Sequence, residues 1–273
     1  MSLAQLIEQF KRPDASHRTM PQWSWNGELS RERITEQLEQ FARQGCGGVF
    51  PHARPGLISA YLSDEWFDMW GHGLREAERL GLEFHIYDEF CCPGGHAGGH
   101  VVAQRPHLVQ QVLELSFVTD PLARPEVQVL AWFRWDRAGG AVSPCPADAV
   151  ESATNDEPVL ALVMRSGRHR PAKGGFAMPD MLRRETAETF IETTHARYAE
   201  RFAEHFGSTC RYVFCDEPQI FGSRDGWPLS AHLLREFRRD HGYDLSERLG
   251  ELCFGLEGAA GARFDYWWTV NRL

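Results

Sequence analysis

An α/β fold is what this sequence predicts: a (β/α)8 TIM-type barrel, incomplete, with an inserted antiparallel β unit. Three observations lead there. Short apolar runs rich in β-branched and aromatic residues alternate with longer amphipathic stretches, the pattern of a parallel sheet with helical crossovers. Between residues 112 and 165 the alternation stops, and strand-like runs follow one another without a helix. The chain has 273 residues, enough for one barrel of about 250, yet too few barrel strands can be found in it.

In chain order, QWSWN (22–26) reads as the first strand, followed by a helix through RERITEQLEQFARQG that Ser30 caps and Gly45 ends. GGVFPHA is the second strand. Ser63 then caps DEWFDMWGHGLREAERLG, Gly81 stops it, and LEFHIYDE is the third strand. VLELSFV, VQVLAWFRW and PVLALVMR, separated by Pro, Gly and Asp clusters, form the inserted unit. The rhythm resumes with FAMPDML, a long helix ending at Gly207, the strand CRYVFCDEP and the helix PLSAHLLREFRRDHG. GYDLSERLGEL and a last helical stretch, AGARFDYWWTVNRL, follow.

The expected divisions are residues 1–111 (the first part of the barrel, three βα units), 112–165 (the inserted β unit) and 166–273 (a truncated barrel continuation). The last parallel strand would expose an unpaired edge, so a missing C-terminal barrel half or self-association is expected to complete the sheet.

A formal net charge of -9 disfavours nucleic acid as a partner, because binding to that backbone is driven by clustered Lys and Arg. The basic stretch RSGRHRPAK (165–173) has no aromatic residue interleaved and reads as a solvated loop. No apolar run approaches the roughly 18 residues of a membrane span. The opening MSLAQLIEQFKRPDASHR lacks the continuous apolar core of a secretory signal. No membrane partner and a cytoplasmic location are therefore expected. Seven cysteines without a CxxC pair suggest reduced thiols.

The stretch richest in chemistry is HIYDEFCCPGGHAGGH (85–100). It lacks the Lys-Ser/Thr ending of a P-loop, and its glycines do not fit GxGxxG ahead of a helix. Cys91, Cys92, His96 and His100 could offer zinc ligands, but adjacent thiolates point apart and the glycine pairs disfavour the helix that would align the two histidines. The residues indicate no cofactor, and metal content is left unknown. Residues 90–100 are read as a glycine-permitted loop shaping a pocket at the strand mouth.

An acidic pair occurs twice, in HIYDEF and VFCDEP, each time at the end of an expected strand. Strand parity puts Glu89 on one face with Tyr87 and His85, and Asp88 on the other with Phe84 and Ile86. The same count sends Glu217 inward with Cys215 and Val213 and turns Phe214 toward the helices. Two converging glutamates suit glycosidic cleavage, in which one carboxyl protonates the departing oxygen and the other activates water or attacks carbon. A single Asp-Glu at a strand end is more often a cap or an ion-pair partner; two matched copies shift the balance. Trp23, Trp25 and Trp227 lie beside expected strand ends, where rings can stack on sugar C–H faces.

PQWSWNGELSRERITEQLEQFARQGCGGVFPHARPGL, YLSDEWFDMWGHGLREAERLGLEFHIYDEFCCPGGHAGGHV, and YVFCDEP followed by GYDL resemble the N-terminal barrel segment of the α-L-rhamnosidase-type and related large bacterial glycoside hydrolases. The resemblance spans most of residues 10–272 and is weakest in the β unit. It implies a (β/α)8 catalytic domain acting on plant or microbial polysaccharide side chains, with calcium helping to hold the sugar in some members. Carried over by position, it makes Glu217 the general acid, Glu89 the second functional carboxylate and Asp216 an orienting or sugar-binding residue. Asp88, Trp25, Asn26, His52, Asp180, His96 and Trp227 complete the expected substrate-binding set. One departure is CPGG at 92–95, where the family commonly shows PSG.

The expectation is thus a glycoside hydrolase with a carbohydrate substrate, α-L-rhamnoside side chains being the class the resemblance points to. A non-catalytic carbohydrate-binding remnant of such an enzyme is the alternative. A metal-dependent amidohydrolase is disfavoured, because the first strand ends in WSWNG and not in His-x-His.

Overall fold

A computed structural model describes residues 2–117, 127–166, 176–220 and 226–273. Most of the basic stretch at 165–173 lies outside the described residues. The strands are β1 Gln22–Trp25, β2 Gly48–Ala53, β3 Glu83–Phe84, β4 Ile86–Tyr87, β5 Gln111–Phe117, β6 Val127–Trp135, β7 Val142–Pro144, β8 Val159–Ser166, β9 Val213–Phe214 and β10 Trp227–Pro228. The α-helices are α1 Leu3–Lys11, α2 Arg31–Arg43, α3 Asp64–Leu80, α4 His100–Gln104, α5 Arg184–Thr193, α6 His195–Phe202, α7 Ala231–His241, α8 Leu249–Phe254 and α9 Ala259–Arg272. The chain divides into two compact units: described residues 2–104, 176 and 188–218 in the first, the remainder in the second.

In the first unit the helix ends follow local chemistry. Ser30 Oγ accepts from the Arg33 N–H to start α2, Ser63 Oγ accepts from the Trp66 N–H to start α3, and Gly81 closes α3 in the left-handed conformation. Trp66, Trp70, Phe67 and Leu74 bury one face of α3, and Trp66 Nε1 donates to the Tyr198 hydroxyl of α6 at 2.9 Å. Gly73 lets α3 approach the sheet, since a Cβ there would lie 2.6 Å from the Phe84 ring. β1, β2 and β3 pair in parallel, as do β4 and β9.

In the second unit a five-stranded antiparallel sheet runs in the order β10-β5-β8-β6-β7. Leu113, Phe133, Leu160, Leu162 and Met164 from the sheet meet Leu233, Phe237, Leu249, Tyr266 and Val270 from α7, α8 and α9 in one apolar core.

The expected (β/α)8 TIM-type barrel is not formed. Parallel pairing accumulates only where each strand is followed by a crossover helix, and that alternation delivers β1-β2-β3 and β4-β9 and no more among the described residues. The largest sheet is antiparallel, and it recruits β10 from outside residues 112–165. FAMPDML, read as a barrel strand, contributes isolated bridging residues and no strand among the described residues. The last stretch, read as barrel continuation, packs as α9 into the core of the antiparallel sheet. No described helix is long and apolar enough to cross a membrane.

Candidate functional site

The first unit gathers most of the expected site residues where β4 and β9 end. Their register pairs Ile86 with Val213 and Tyr87 with Phe214. Alternation then puts Ile86, Val213, Asp88 and Cys215 on one face and Tyr87, Phe214, Glu89 and Asp216 on the other. Contacts agree with this assignment. Tyr87 stacks on Phe214 with centroids 5.1 Å apart and donates its hydroxyl to Asp216 Oδ2 at 2.5 Å. Parity had sent Phe214 to the helices and Glu217 inward. The structure reverses the first, since Phe214 shares the face of Tyr87, while Glu217, at a φ of 46°, lies beyond the end of strand alternation, which therefore does not fix its direction.

Glu89 is fully buried. Its Oε1 accepts the N–H groups of Phe90 (2.8 Å) and Gly98 (2.7 Å), and its Oε2 those of Gly95 (3.0 Å), His96 (2.8 Å) and Ala97 (2.8 Å). The loop can curl round one carboxylate because Gly95 and Gly98 take positive φ, as Cys91 and Ala97 also do. Burial pushes the Glu89 carboxyl up to about 8, opposed by these N–H donors, which favour the ionised form. The geometry makes Glu89 the anchor of residues 90–98.

Asp88 faces α6. It is 1% exposed, and its Oδ2 lies 3.1 Å from His195 Nε2. His96 is buried against Phe176, centroids 5.6 Å apart. Its Nδ1 lies 3.2 Å from Glu89 Oε1 without hydrogen-bond alignment, and burial holds the imidazole down to about 4.

His52 stacks on Tyr87 at 3.5 Å and 12°. Its Nε2 lies 3.0 Å from the Cys91 carbonyl and its Nδ1 2.6 Å from Gln22 Nε2. A carbonyl can only accept and an amide nitrogen only donate, so the proton is on Nε2. Burial lowers this imidazole to about 4, in keeping with a neutral ring.

Trp25 is 2% exposed, edge-on to Trp66 and Trp23, and so belongs to the core. Asn26 is exposed at the end of β1, beside a cavity of about 90 Å³ lined also by Ser24, Arg33 and Gln37. Asp180 and Trp227 belong to the second unit. Asp180 Oδ1 accepts from the Leu182 N–H in the turn leading to α5, and Trp227 packs on Tyr266 and Trp267 of α9. Tyr87, Phe214 and Gln22 were missed as members of the group around Asp216; the available signal was Tyr87 directly before Asp88 and Phe214 two residues before Asp216.

Among the described residues no three His, Cys, Asp or Glu side chains are grouped to hold a metal ion. The nearest carboxylates are already engaged: Glu89 by N–H groups, Asp88 by His195 and Asp216 by Tyr87.

No protein-family model matches this chain, and no curated protein matches it. Among solved structures, its fold is similar to that of a rhamnosidase from Novosphingobium sp. PP1Y, with a TM-score of 0.60 and 13% identity. The match covers 97% of this chain and 44% of that one, so the chain spans less than half of the length of that structure. At this identity the likeness is one of fold, and the fold is rhamnosidase-like.

Proposed function

We propose that this chain is part of a glycoside hydrolase acting on α-L-rhamnosides, with Glu217 as the proton donor and Asp216 as a contact for a sugar hydroxyl. The observation that carries the reading is the state of Glu217. It is exposed just beyond β9, and it is held at a φ of 46°, where a residue with a Cβ pays about 1 kcal/mol or more. Backbone strain kept at an accessible carboxylate concentrates where a side chain must be aimed at something. The rhamnosidase-like fold supports the substrate class. In the reaction, the Glu217 carboxyl gives its proton to the glycosidic oxygen as the C1–O bond breaks, and water supplies the new oxygen at C1, its released proton restoring the Glu217 carboxyl. Glu89, enclosed by its own loop, shapes the site and does not touch the sugar.

Hydrolysis of an alkyl α-L-rhamnoside and of 4-nitrophenyl α-L-rhamnopyranoside by wild type and Glu217→Gln tests this. The variant should lose about two or more orders of magnitude on the alkyl substrate and much less on the aryl one, whose leaving group needs little protonation. Equal losses on both would remove Glu217 from the role of acid. The enclosure of Glu89 favours a second reading, carbohydrate binding without cleavage. Saturable L-rhamnose binding with no hydrolysis of either substrate would select it.

A further inference from the structure

We infer that Tyr87 is a positioning residue for Asp216, locked in place by His52 and Phe214 so that this carboxylate meets a sugar hydroxyl in a single orientation. The inference rests on the glycoside reading above and adds to it a residue that neither motif nor resemblance marks.

Tyr87 is 2% exposed, and its ring is held between His52 at 3.5 Å and Phe214 at 5.1 Å, both near parallel. His52 is itself fixed at both nitrogens, by the Gln22 amide and the Cys91 carbonyl. The phenol therefore has one accessible direction, and it ends on Asp216 Oδ2 at 2.5 Å. Burial, and then the Asp216 charge, raise the phenol well above its ordinary range, so it remains a donor at any physiological pH. A buried tyrosine usually satisfies its hydroxyl on the backbone or on another buried group. Here the acceptor is a half-exposed carboxylate at a strand end. A charge-assisted bond from an immobile ring removes the rotational freedom of Asp216 before substrate arrives, which lowers the entropy lost on binding. The chain Gln22, His52, Tyr87, Asp216 draws on β1, β2, β4 and the residues after β9, so the carboxylate is referenced to strands and not to a loop.

Tyr87→Phe keeps the stacked ring and removes only the hydroxyl. With 4-nitrophenyl α-L-rhamnopyranoside, KM should rise about tenfold or more while kcat changes less, and L-rhamnose binding should weaken by a similar factor. In an Asp216→Asn background the same substitution should add no more than about twofold, since its effect passes through that carboxylate. A merely structural tyrosine would give independent, multiplying losses, and that result, or an unchanged KM, overturns the inference while leaving the glycoside reading intact. If Tyr87→Phe does not fold, Asp216→Glu, which pushes the carboxylate past the phenol, must give the same rise in KM. A wild-type protein that neither binds L-rhamnose nor cleaves the aryl rhamnoside removes the glycoside reading, and this inference with it.

Discussion

Two Asp-Glu pairs end two neighbouring parallel strands, yet one pair is sealed inside the protein and the other is open. Asp88 and Glu89 are 1% and 0% exposed, while Asp216 is half-buried and Glu217 exposed. The difference comes from one step of register. Tyr87 pairs with Phe214, which sets Glu89 level with Asp216 and Asp88 level with Cys215. After the first pair the chain turns back over its own glutamate through Gly95 and Gly98; after the second it reaches Pro218, which has no N–H to give. The same dipeptide becomes a loop anchor where N–H donors fold onto it, and a reactive candidate where none do.

The largest expected effect separates the two glutamates by stability. Glu89→Gln puts an amide NH2 among backbone N–H donors, leaving several buried donors unpaired, and should cost on the order of 3–5 kcal/mol. Glu217→Gln should change stability by no more than about 0.5 kcal/mol, because its side chain is exposed. Urea denaturation of both variants at pH 9, above the Glu89 value of about 8, makes the comparison. Equal, small changes would mean that the loop holds together without its carboxylate.

Next comes the pH dependence of the sealed side. Burial lowers His52, His85 and His96 to about 4 each and raises Glu89 to about 8. Between roughly pH 4.5 and 6.5 the unfolded chain binds up to three more protons on these histidines, and the folded chain one more on Glu89, a net of about two taken up on unfolding. Stability contributed by the lowered groups is present above 6.5 and is lost as pH falls through 4. Stability contributed by the raised Glu89 is present below about 4.5 and is lost as pH rises through 8. These groups together place the maximum near pH 6.5, with Tm lower by several degrees at pH 4.5 and lower by less at pH 8. Thermal melts at the three pH values check this, and a flat profile from 6.5 to 4.5 would mean that the buried imidazoles are charged in the fold.

What could be read in the sequence was what local chemistry decides. Ser30, Ser63 and Gly81 announced the ends of α2 and α3 because a cap involves residues no more than a turn apart. Apolar alternation likewise placed β1, β2 and the β3–β4 stretch. The barrel was not legible, since closing a sheet depends on pairings such as that of Trp227 with Leu113, which no periodicity encodes. In the candidate site, matching one Asp-Glu to the other assumed a register in which Asp88 lies beside Asp216. The rings of Tyr87 and Phe214, which pair directly, set the register one residue away from that, and a single step changes the face of every side chain. Counting back from Glu217 failed for a second reason: parity holds only while the backbone is extended, and a φ of 46° ends it.

The smallest expected effect concerns that same backbone angle. Glycine at 217 removes the clash between Cβ and the following carbonyl that a left-handed φ imposes, a gain of about 1–2 kcal/mol. It also loosens the unfolded chain, which returns about 0.4–1 kcal/mol of that gain. Glu217→Gly should therefore raise stability by about 0.5 kcal/mol while abolishing hydrolysis of alkyl α-L-rhamnosides. Ala97, at a φ of 50° in the loop held by Glu89, is the matched control. Ala97→Gly relieves a similar strain but also removes a fully buried methyl worth about 0.8 kcal/mol, so its urea midpoint should change little, with activity retained. If Glu217→Gly is destabilising, its side chain holds a contact that compensates for the angle, and the argument that strain is retained there for reactivity fails. If Glu217→Gly gains stability and loses activity while Ala97→Gly changes neither, the strain at 217 is kept for the carboxylate and the strain at 97 for the shape of the loop.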